Sequence, residues 1–177
     1  MASAILRCGA FFARKGEKLK TANRMPKEKK PSGPRMDEGL HQAYLRTYYR
    51  IDSDPPARLQ IGQDASGFAQ WMRNKGYRNA ILLTAWNPFS EPLPAEENER
   101  RRAEFEAEAR HLGIAFVGGR GEDPTTPEWT PEESLCLFDA PLEHVDAWMR
   151  RYEQNAAVRV NEEGQVSLYW HPELRGK

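Results

Sequence analysis

Asn98 and Arg102 are the two residues whose type and spacing most suggest chemistry. With Phe105, Ala109 and Leu112 they fall on one stripe of a helix, at intervals of three or four residues. The last three form an ordinary core face. An Asn and an Arg on the same stripe need polar partners, because an unpaired buried charge is costly. Either Arg102 is tied to an acid such as Glu122 or Glu133, or it binds an anionic ligand, or it stays solvated. Asn87 and Ser90 lie just upstream in Asn87-Pro88-Phe89-Ser90, at the end of an apolar run, and Gln154-Asn155 lies between a helix and a strand. Their ordinary roles are capping and turn formation; their functional role is hydrogen bonding to a polar ligand.

Other constellations are weaker. Gly118-Gly119-Arg120-Gly121 reads as a flexible turn or a backbone anion nest, without the Lys-Ser/Thr of a Walker loop or dinucleotide fingerprint spacing. Glu122, Asp123, Glu132 and Glu133 flank Trp129 in an acidic loop whose spacing matches no calcium site. His41, His111, His144 and His171 lack ligand spacing, so no metal is expected. No Gly-x-Ser-x-Gly or Cys–His arrangement supports nucleophilic catalysis.

The elements that must position these residues follow from periodicity. Ala80-Ile81-Leu82-Leu83-Thr84-Ala85-Trp86 is a strand buried on both faces. It leads through Asn87-Pro88-Phe89-Ser90 to a charged helix from about Ala95 to Leu112, closed by Gly113. Upstream, Ala43 to Ile51 reads as a strand, Arg58 to Ile61 as a second, and Ser66 starts a helix with Phe68, Trp71 and Met72 inside and Gly76 as its stop. Downstream come strands at 114–117 and 135–138. A helix after Pro141 buries Leu142, Val145, Met149 and Tyr152, and a hairpin pairs Ala156–Val160 with Val166–Trp170. The order ββαβαββαββ predicts an α/β (α+β) fold, a single mixed sheet with about three helices.

The formal charge is zero over 177 residues, yet unevenly distributed. Residues 1–35 hold ten Lys/Arg against two Glu, leaving sixteen basic and twenty-four acidic residues for the rest. The basic segment, rich in Pro, is expected to be a disordered tail or an over-extended start, and 36–177 a single globular domain. A net-acidic body argues against specific nucleic-acid binding. Cys8 and Cys136 support no disulfide framework, and no apolar run approaches the roughly 20 residues of a membrane span. A cytoplasmic protein is expected.

Together, Thr84-Ala85-Trp86-Asn87-Pro88-Phe89-Ser90, Glu97-Asn98, Arg102, Gly121-Glu122-Asp123, Trp129, Glu133-Ser134 and Gln154-Asn155-Ala156 resemble a bacterial family, the domain of unknown function 3293. The resemblance spans roughly residues 43–170. It implies a bacterial, cytoplasmic setting and no assigned reaction or cofactor.

The expectation is a cleft where strand 80–86 meets helix 95–112, binding a small polar or anionic molecule. Arg102 would hold an anionic group, and Asn87, Ser90, Asn98, Glu122 and Gln154 would orient it. Glu133 would serve as acid or base, its pKa raised by an apolar neighbour. The competing class is a non-catalytic interaction module in which the same residues form a satisfied structural network.

Overall fold

The computed structural model describes residues 33–122 and 130–175. The basic tail (apart from its last three residues), Asp123 and Trp129 lie outside the described residues. The chain forms a seven-stranded sheet in the order β2-β1-β4-β5-β3-β6-β7. Its strands are β1 (Tyr48–Ile51), β2 (Ala57–Leu59), β3 (Ala80–Thr84), β4 (Phe116–Glu122), β5 (Glu132–Phe138), β6 (Ala156–Val160) and β7 (Val166–Trp170). Four helices accompany them: α1 (Glu38–Arg46), α2 (Ser66–Asn74), α3 (Ala95–His111) and α4 (Leu142–Arg151).

The α/β class expected from the sequence is the one observed. Every neighbouring pair, however, is antiparallel, so the sheet is not mixed. The helical crossovers explain why a mixed sheet was expected. α3 joins β3 to β4, which run parallel, but β5 lies between them; α4 joins β5 to β6, and β3 lies between those. Each crossover links parallel strands that are not neighbours.

Burial on both faces of β3 follows from this layering. Ala80 and Leu82 pack with Phe68, Ala69 and Met72 of α2. Ile81 and Leu83 pack with Phe105 and Ala109 of α3 and Val145, Trp148 and Met149 of α4. The Phe105 and Trp148 rings meet edge to face at 5.0 Å, a geometry that adds to their burial. Leu142, expected inside, is exposed, whereas Trp148 of the same helix is buried.

Two segments differ from expectation. Residues 38–46 form a fourth helix, so the predicted strand over 43–51 shrinks to β1. Asp37 caps α1, its Oδ1 accepting from Leu40 N at 2.8 Å. Gly118-Gly119-Arg120-Gly121 is neither turn nor nest but the middle of β4, paired with β1 on one side and β5 on the other. Close approach explains the glycine at 119: a Cβ there would lie 2.8 Å from both Arg50 O and Leu82 Cδ1.

Candidate functional site

α1 is amphipathic yet buries no residue completely. Its stripe of Leu40, Ala43 and Tyr44, with Thr47 just past its end, faces the sheet across a cavity of about 530 Å³ rather than a packed core. The floor comes from the sheet face shared by α1 and α2, including Tyr49, Leu82, Gly121, Glu132, Ser134, Ala156 and Val158. One wall is made by Asn87, Ser90 and Gln154, and Arg35, Asp37 and Arg46 stand at the exposed rim.

The wall begins where β3 ends. Asn87 adopts φ 46° and ψ 75°, a left-handed conformation that Asn tolerates better than most residues. Phe89 and Ser90 also have positive φ, at 47° and 66°, without glycine's freedom. Such strain costs of order 1–3 kcal/mol per residue and persists only where surrounding contacts enforce it. Those contacts are present. Asn98 Oδ1 accepts from Asn87 N at 3.0 Å, and Asn98 Nδ2 donates to Asn87 Oδ1 at 2.9 Å. Leu93 N also donates to Asn87 Oδ1 at 3.0 Å. Asn155 then ties the wall to the rim, donating to Ser90 Oγ at 3.3 Å and accepting from Arg35 N at 2.9 Å.

With its carbonyl so fixed, Asn87 points Nδ2 at Glu132 Oε1, 2.8 Å away. The Glu132 residue touches solvent through the cavity, but its carboxyl is enclosed by protein. Burial raises its pKa to about 7, and the Asn87 hydrogen bond offsets only part of that rise. Among the described residues no Lys, Arg or His pairs with it. Tyr44 sits close by, its hydroxyl held firmly protonated by burial and by the Glu132 charge.

The structure divides the seven candidate residues. Asn87, Ser90 and Gln154 line the cavity, and Asn98 stands directly behind Asn87. Glu122, Glu133 and Arg102 belong to the opposite side of the sheet, the α3 side. Alternation along β5 sends Glu133 away from Glu132, into register with Arg120, whose Nε pairs with Glu122 Oε1 at 2.7 Å. Arg102 meets Glu99 and Glu106 of its own helix at 3.8 and 3.7 Å, and its buried Nε finds no acceptor among the described residues. The arginine that anchors α3 is its neighbour. Arg101 Nε donates to Ala85 O and Nη2 to Tyr152 O, both at 2.7 Å.

The cavity is also lined by Glu132, Tyr44, Ser134, Arg35 and Arg46, which the sequence reading did not select. The available signals were the Asp37 cap with Leu40, Ala43 and Tyr44 at helical spacing, and the phase of β5. Extending the run 135–138 backwards puts Glu132 and Ser134 on one face with Cys136.

The family model described as "Protein of unknown function (DUF3293)" matches residues 83–157, in agreement with the resemblance read from the sequence. The match runs from β3 to the start of β6 and contains Asn87, Asn98, Glu132 and Gln154. No curated protein and no solved structure matches the chain. Among the described residues no helix is long and apolar enough to cross a membrane, and no three His, Cys, Asp or Glu side chains gather as a metal site.

Proposed function

We propose that this domain binds a small polar molecule in the cavity between α1 and the sheet, with Glu132 as the group that anchors it and exchanges a proton with it. One observation carries this reading: an enclosed carboxyl with a pKa near 7 at the base of an open cavity, aimed by Asn87. A carboxyl poised near neutrality is suited to acid–base work, because both protonation states are populated. Asn87 and Asn98 position it without touching a ligand through their buried atoms.

A structural network alone accounts for Asn98 and Arg101, whose hydrogen bonds all go to protein. It does not account for Glu132, since a neutral side chain there would accept from Asn87 equally well without the cost of a buried charge. The test is a thermal-shift screen of small metabolites on the full chain, repeated on Ala43→Trp, which fills the cavity from α1. A stabilising metabolite is expected to lose its effect in the filled variant. Equal stabilisation of both proteins would reject the cavity as the binding site.

A further inference from the structure

The hydrogen-bonding groups of the cavity are unequally committed. Gln154 Nε2 donates to Trp86 O at 2.7 Å and Tyr152 O at 2.9 Å. Two carbonyl partners fix which end of the amide is nitrogen and leave its carbonyl oxygen as the free function. Ser134 Oγ donates its hydrogen to Glu132 O at 3.2 Å, so toward other groups it acts through its lone pairs. Asn87 Nδ2 donates to Glu132 Oε1, and the carboxylate itself, when ionised, only accepts. Gln154, Ser134 and Glu132 thus offer the cavity three kinds of acceptor oxygen, one charged, beside the hydroxyls of Tyr44 and Ser90.

The rim is of the opposite character. Arg35 and Arg46 are exposed lining residues, and Asp37 meets Arg35 at 3.7 Å. The Arg35 charge acts on the Tyr44 hydroxyl, whereas among the described residues no arginine contributes to the state of Glu132. Among the described residues, no ion pair joins the rim arginines to Glu132, although the Tyr44 hydroxyl feels the charge of both Arg35 and Glu132. A protonated amine supplies three N–H donors and a positive charge, which matches the inner acceptors. Burying that ammonium beside Glu132 also neutralises a carboxylate that has no cationic partner among the described residues.

Resting on the cavity-binding reading above, we infer that the ligand carries a protonated amine seated against Glu132 and an anionic group directed to Arg35 and Arg46. The aliphatic body between them would lie along Leu82, Ala156 and Val158, which line the floor. Both ends meet groups of opposite charge, and the class is that of short amino acids and amine-bearing phosphates or carboxylates.

The experiment uses the full chain and four five-carbon probes: δ-aminopentanoate, pentylamine, pentanoate and pentanol. Binding is read from chemical-shift changes of cavity-lining amides at about pH 8, where Glu132 is ionised. The expected order is aminopentanoate tightest, then pentylamine, with pentanoate and pentanol weaker. Glu132→Gln should reduce pentylamine affinity by about tenfold and leave pentanol unchanged, roughly the value of one charge-assisted hydrogen bond. The double variant Arg35→Gln/Arg46→Gln should remove the advantage of aminopentanoate over pentylamine. In the wild type, pentylamine should also bind more weakly near pH 5, as Glu132 takes up its proton; Tyr44, Tyr49, Arg35, Arg46 and Asp37 are the other ionisable lining groups. Tighter binding of pentanoate or pentanol than pentylamine, or pentylamine binding indifferent to pH and to Glu132→Gln, overturns the amine assignment and leaves the cavity reading intact. Silence of the cavity amides to all four probes overturns both.

Discussion

Replacing Glu132 with Gln tests the physical core of the site without any ligand. Gln keeps the shape and the Oε1 acceptor for Asn87 Nδ2, and removes only the ionisation. The carboxyl's pKa rises from an ordinary 4.5 to about 7 on folding, and burial is the leading cause. Below 4.5 both folded and unfolded chains hold the proton, so Glu132 costs nothing there. Between 4.5 and 7 the unfolded chain releases a proton that the folded chain retains, and stability falls as pH rises. Above 7 both are ionised, and the folded state bears the full penalty of about 3 kcal/mol. Solvent entering the cavity lowers that figure, so about 1–3 kcal/mol is the expected range.

Glu132→Gln should therefore match the wild type near pH 4.5 and exceed it by about 1–3 kcal/mol at about pH 8. Urea unfolding at several pH values measures the gap, provided the slope m is the same for both proteins. A gap that does not change with pH, or a variant less stable than wild type at pH 8, would refute the argument. An NMR titration of the Glu132 carboxyl checks it directly: a midpoint near 4.5 rather than near 7 would show that the carboxyl is well solvated.

Three further outcomes follow from the packing around the cavity. Asn98→Ala leaves the Asn87 backbone amide without its acceptor 3.0 Å away and removes one of two donors to Asn87 Oδ1, Leu93 N remaining, and should cost about 1–3 kcal/mol in urea unfolding. Arg101→Ala removes two donors to backbone carbonyls and should cost about 1.5–3 kcal/mol, whereas Arg102→Ala should change stability by under about 0.5 kcal/mol; equal effects would overturn the assignment of Arg101 as the anchor. Gly119→Ala places a Cβ 2.8 Å from Arg50 O and should lower stability by about 1–3 kcal/mol in thermal melts, by forcing β1 away from β4.

The parts of this fold that were legible in sequence are those with an unambiguous hydrophobic period. β3, with Ala80, Ile81, Leu82 and Leu83 all buried, could only be an internal strand. The hairpin Ala156–Val160 with Val166–Trp170 was set by its turn chemistry, with Gly164 at φ 86°. α1 was illegible for a reason tied to the site. Its apolar stripe borders a cavity rather than the core, so it is short of bulky aliphatic residues, and its Tyr44 merges with Tyr48 and Tyr49 of β1 into what reads as strand alternation. The glycines of β4 were misread because glycine usually punctuates turns, whereas here the close approach of Arg50 and Leu82 selects it. Asn87, Ser90 and Gln154 were singled out because strand ends are where chains place polar groups, and all three line the cavity.

The sequence reading chose Glu133, whereas the proposal rests on its neighbour Glu132, and the difference shows what the fold contributes. Glu132 and Glu133 are indistinguishable in composition and adjacent in sequence. β5 separates them by sending alternate side chains to opposite faces. Its register is pinned by the pairing of Ser134 with Thr84 and by Thr84 Oγ1 donating to Glu133 O at 2.8 Å. With that register, Glu133 faces Arg120 among partly exposed charges, and Glu132 enters an enclosed cavity with one amide donor. The same functional group thereby stands among partly exposed charges at one position and is enclosed beside a cavity at the next. A shift of one residue would exchange their roles, so the chemistry of the site belongs to the strand register as much as to the residue.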